Sequence, residues 1–162
     1  MRAKSLRLMA LLFSLLVVVL LSTAAYADDP TVRIPFGCRG GSVSVPAGSS
    51  LTLVSGWTMA TRGNTQAFAN AATGVMTING QSVTPVQSDV FAIPVDTEPL
   101  DGWRVQWSFT TTAPSAGQSM VVTFTIVLAR AVADHELGIG KPGIIPAGPL
   151  FPQPFSCTVI GS

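Results

Sequence analysis

The residues able to do chemistry are few. His135 is the only histidine, and it stands between Asp134 and Glu136. A hydrolytic Ser-His-Asp or Cys-His arrangement would have to be built on it, yet no Gly-x-Ser-x-Gly or other nucleophile context accompanies it. Adjacent side chains on an extended chain point to opposite sides, so these three residues do not make a coordination shell for a cation. A solvated loop histidine is the simpler reading, and the chain is read as non-catalytic. Asp96, Glu98 and Asp101 carry the oxygen ligands and alternating spacing that a loop calcium site uses, which makes them a weak calcium candidate. No EF-hand or repeat supports it, and a charged turn needs no partner in water. No cofactor is implied: there is no P-loop, no dinucleotide fingerprint and no zinc spacing.

Two further sets of residues bear on function. Trp57, Trp103 and Trp107 are possible ligand contacts, because exposed rings on a sheet face stack on sugars. Trp103 and Trp107 lie on one strand face, four residues or roughly 13 Å apart at about 3.3 Å per residue. Val105 between them and Phe109 beyond make that face uniformly apolar, which favours core packing over a stacking platform. Cys38 and Cys157 are the only cysteines. In an exported chain they are expected to form one disulfide. A reactive or metal-binding pair would call for a nearby histidine or a second pair of cysteines.

Export is read from the start of the chain. Arg2, Lys4 and Arg7 precede an apolar run over residues 8–21, and Ala25-Tyr26-Ala27 follows before Asp28-Asp29. That is the pattern of a secretory signal peptide over 1–27, and the run is shorter than the roughly 20 residues of a membrane span. The remaining 28–162 make one domain's worth of chain with no stable membrane anchor. Six basic residues then face eight acidic ones, which argues against a nucleic-acid partner. Few charges together with Val, Thr, Ser, Gly and Pro suit an all-β secreted domain.

The elements that must position these residues read as short strands. Residues 103–129 form the organising stretch, read as a long β-hairpin. Trp103, Val105, Trp107 and Phe109 share its first inward face. Met120, Val122, Phe124, Ile126 and Leu128 share the second, on a strand apolar enough on both faces to be central and covered on both sides. Residues 31–39 read as a first strand interrupted by Pro35, which implies an edge position or a bulge because proline cannot donate to a ladder. Strands follow at 42–45, 50–57 and 90–93, and 66–72 is a short helix or a loop between sheets. Asn79-Gly80 inside 75–84 marks a type I′ hairpin turn, since only such residues accept positive φ at both central positions. Residues 134–154, rich in Pro and Gly, form a long loop packed over an edge by Ile144, Ile145, Leu150 and Phe151. A final strand over 155–160 carries Cys157.

These alternating strands, the Asn79-Gly80 hairpin and the spacing of the turns together resemble the immunoglobulin-like and fibronectin-type sandwiches of secreted and cell-surface proteins. The resemblance implies an antiparallel two-sheet β-sandwich over most of 31–160. The cysteines depart from the antibody pattern, because they lie at the two ends instead of pinning central strands across a tryptophan. The chain also looks like an uncharacterised exported protein of bacterial type. The function expected is a secreted binding or adhesion module for a glycan or a protein. The alternative is a structural subunit of an extracellular appendage or envelope complex, with contacts at the edge near Pro35 and at 134–154.

Overall fold

The computed structural model describes residues 29–34, 38, 41–93, 102–134 and 143–162. Two sheets carry most of them. The first runs in the order β1 (Thr31–Arg33), β3 (Ser50–Met59), β8 (Trp103–Thr112) and β6 (Val86–Gln87), with β7 (Phe91–Ala92) also on β8. The second runs β2 (Ser42–Val45), β13 (Phe155–Gly161), β9 (Ser119–Leu128), β4 (Ala72–Ile78) and β5 (Gln81–Val83), with β12 (Gly148–Pro149) also on β9. A small antiparallel pair joins β10 (Val132–Asp134) to β11 (Gly143–Ile145). One short helix, α1 (Arg62–Ala69), carries the chain from β3 in the first sheet to β4 in the second.

The core lies between the sheets and follows the period-two pattern of the strands. Met120, Val122, Phe124, Ile126 and Leu128 of β9 are all buried, as are Leu51, Leu53 and Met59 of β3. Trp107 of β8, 2% exposed, crosses the interface. Its ring lies 6.1 Å from that of Phe124 at a tilt of 46°, and it rests on Gly74 of β4. A Cβ at position 74 would sit 2.6 Å from both Cγ and Cδ1 of the indole, so only glycine allows this approach. Burial of a side chain this size contributes roughly 4–6 kcal/mol of transfer free energy.

The structure revises the hairpin over 103–129. β8 and β9 belong to opposite sheets and do not pair. β8 is flanked by β3 over ten residues on one side and by β6 and β7 on the other, while β9 is flanked by β13 and β4. Each strand is paired along most of its length within its own sheet, and residues 113–118 arch between the sheets. The arch is tied at both feet. Ala113 N–H donates to the Ser49 carbonyl at 2.8 Å, and Gly117 N–H to the Gly161 carbonyl at 3.0 Å. Gly161 has no side chain to obstruct the carbonyls of Pro114 and Ser115.

Four other expectations change. The sheets are mixed, because β1 runs parallel to β3 and β2 parallel to β13. The helix spans Arg62–Ala69 instead of 66–72. Thr61 caps it, accepting from the Asn64 N–H at 3.2 Å. β9 is central, yet its second face is only partly covered, with Val121 42% exposed. The stretch 134–154 contains β11 and β12, and Ile144, 76% exposed, does not pack down, whereas Ile145 and Leu150 are half-buried. The Asn79-Gly80 turn forms with φ of 50° and 79° and pairs Ile78 with Gln81. β1 is an edge strand; Pro35 lies outside the described residues.

Cys38 and Cys157 form the expected disulfide, with Cα atoms 5.7 Å apart and a sequence separation of 119. It joins the crossing between β1 and β2 to the last strand of the second sheet. The chain-entropy estimate for a loop of that length is about 4–5 kcal/mol. Replacing both cysteines by alanine is expected to lower the unfolding free energy by about 2–5 kcal/mol in urea titrations. An unchanged midpoint would show that the bridge does not constrain the unfolded chain.

Candidate functional site

The chemistry-bearing residues of the sequence do not assemble in the described structure. His135, Glu136, Asp96, Glu98 and Asp101 lie outside the described residues, and Asp134 is the last residue of β10. Among the described residues no three His, Cys, Asp or Glu side chains gather as a metal site would need. Cys38 and Cys157 are consumed by their disulfide.

The tryptophans are brought together on the inward face of the first sheet. Trp103 and Trp107 share that face of β8, and Trp57 joins them from β3, opposite Val105. Trp57 is half-buried, stacked on Phe68 of α1 at 5.7 Å and 19°, with the edge of Phe151 at 6.0 Å. Phe155 continues this aromatic cluster 4.5 Å from Phe151. The Trp57 indole N–H is enclosed without a hydrogen-bond partner, a desolvation cost that the ring contacts must offset. Trp103 is half-buried beneath the Arg62 guanidinium, 5.5 Å from the ring centroid. Its backbone carbonyl accepts from Thr65 Oγ1 at 3.2 Å, which holds α1 over the end of β8.

Trp107 alone reaches a cleft. This cavity of about 310 Å³ runs beside β4 and is lined by residues 72–76 and 82–85, Gln87 and Trp107. One wall is a continuous stretch of β4. The other is the crossover from β5 to β6, held by the Gln87 side-chain amide, which donates to the Ala69 carbonyl at 3.1 Å. The lining offers the hydroxyls of Thr73, Ser82 and Thr84, one amide, apolar surface and backbone. No titratable side chain is among them.

The backbone of β4 faces the cleft in an ordered way. Asn79 N–H donates to the Val121 carbonyl, and Ala129 N–H to the Ala71 carbonyl, each at 2.8 Å. Odd-numbered residues of β4 therefore turn their amides toward β9, and even-numbered ones turn away. β5 covers only Met76 to Ile78, which leaves the N–H and C=O of Ala72 and Gly74 directed into the cleft. No described group hydrogen-bonds to them. The sequence reading missed this edge. Its signal was an isolated glycine inside the strand pattern ATGVMTI, which marks a close approach of other groups to the backbone.

No family model, no curated protein and no solved structure matches the chain. The site therefore rests on its own geometry. Tryptophan emission is expected to be blue, with a component poorly quenched by acrylamide that disappears in Trp107→Phe. Uniform, efficient quenching with emission near that of free indole would contradict the burial of Trp107.

Proposed function

We propose that the chain is an exported, non-catalytic module of immunoglobulin-like kind. It binds an uncharged glycan or polypeptide, at the cell surface or outside the cell, in the cleft beside Gly74. The lining of that cleft carries the reading. A pocket near the lower end of the small-ligand size range that offers hydroxyls, one amide, an indole and backbone groups can orient a neutral ligand. Its lining has no titratable side chain to act as general acid or base or to activate one of its hydroxyls as a nucleophile. The disulfide suits an oxidising compartment, and no helix among the described residues is long and apolar enough to cross a membrane. The reading calls for no cofactor and no nucleic-acid partner.

A second reading, a structural subunit of an extracellular assembly, is favoured by the outer face of the second sheet. Along β4, β9 and β13 that face presents Thr73, Val75, Val121, Thr123, Ser156 and Thr158, without a charge. Thr77 and Thr123 hydroxyls are joined there at 2.7 Å. Such a face gives a second chain little to repel it.

The test is tryptophan fluorescence of the exported chain titrated with neutral oligosaccharides and uncharged peptides. A saturable change is expected for one class. Thr73→Asp, an exposed substitution that puts a charge at the rim, is expected to weaken it about tenfold or more. Turnover of any ligand that His135→Ala abolishes would make the protein an enzyme instead. Concentration-dependent oligomers without ligand binding would favour the assembly subunit.

A further inference from the structure

β5 stops at Val83 for a physical reason. Pro85 has no N–H and cannot continue a ladder, and the chain turns there to become β6 in the other sheet. The line that β5 would have followed stays open alongside β4, and the cleft occupies it. On its β4 side the N–H and C=O of Ala72 and Gly74 point into that line, about 6.6 Å apart at the usual strand rise. Both residues are buried. A strand edge whose donors and acceptors face a cleft is a template for pairing with another chain, so these two mark a place where a partner can add.

We propose that the occupant is an extended segment of another polypeptide, which adds to the free edge of β4 as a short strand. This rests on the binding reading above and names its ligand. Two residues that each present a donor and an acceptor on the same side, at strand spacing, are the complement of a β-strand backbone. The lining carries no charge, so the segment is uncharged where it enters. Its register follows from the pleat. The residue opposite Gly74 points inward, toward Trp107, and is apolar; those opposite Thr73 and Val75 point outward and are β-branched or hydroxylic. A second copy of this chain does not fit. Its described edge strands are rims of a folded two-sheet body, whereas the line beside β4 is walled on its far side by the crossover to β6, so only a free-standing segment lies down in it.

The experiment selects heptapeptides from a random displayed library on the immobilised exported chain. It then follows amide hydrogen exchange of the chain by NMR with the selected peptides. Uncharged sequences with alternating β-branched residues are expected, and they slow exchange at Ala72 and Gly74 about tenfold or more. N-methylation of the one peptide amide that faces β4 weakens binding about tenfold, while methylation of its neighbour leaves it within about twofold. A library that yields no binder overturns the proposal. So do binders that leave the two amides unprotected, or that tolerate both methylations equally. A linear neutral hexasaccharide that protects the same amides where no peptide does would sink strand addition and keep the binding module. Neither class perturbing the cleft would remove both. Exchange at Gly74 that slows with protein concentration alone would assign the edge to a second copy, against the proposal.

Discussion

The contact of Trp107 with Gly74 is the constraint on which the rest of the molecule depends. An indole from the first sheet lies where a side chain of the second would have been, so the ring rests directly on the backbone of β4. The ring also touches Phe124, on the strand at the centre of the second sheet. A tilted aromatic pair of this kind adds about 0.5–1.5 kcal/mol beyond area burial. The same indole lines the cleft beside β4. Packing and binding surface thus share one side chain, and the architecture of the core decides the shape of the candidate site.

The chain ends and crossings are arranged around that contact. The arch over 113–118 delivers β9 opposite β8, where Phe124 can meet Trp107, and the glycine at 161 lets the arch lie against the last strand. The disulfide closes the opposite end of the path, fixing the passage from β1 to β2 against β13. Helix α1 closes a third side: Phe68 is buried against Trp57, and the Ala69 carbonyl anchors Gln87 beside the cleft.

Much of this was legible in residue types, and the part that was not has a physical explanation. Alternation in SMVVTFTIVL identified the buried face of β9, because a period of two depends only on the pleat. Asn79-Gly80 identified its turn because so few residues accept positive φ. The cysteines identified their bond because no other partner existed. Alternation tells which face is buried and says nothing about which strand lies alongside, so β8 and β9 read as a hairpin although each pairs within its own sheet. The parallel neighbours of β3 and β13 were hidden for the same reason, since they depend on contacts distant in sequence. The shared face of Trp103 and Trp107 was legible from the same period of two, and it lies on the sheet opposite the candidate edge. The edge at Ala72 and Gly74 consists of backbone groups, which every sequence possesses, and only the early end of β5 leaves them exposed to a ligand.

A double-mutant cycle on Gly74→Ala and Trp107→Val in urea unfolding tests the central contact most directly. The close approach predicts that Gly74→Ala costs about 2 kcal/mol or more in the native background, as overpacking does. With the indole removed it should cost far less, a coupling of about 1–2 kcal/mol. Costs that add to within about 0.5 kcal/mol would contradict the account, because they would mean that the ring and the glycine do not meet.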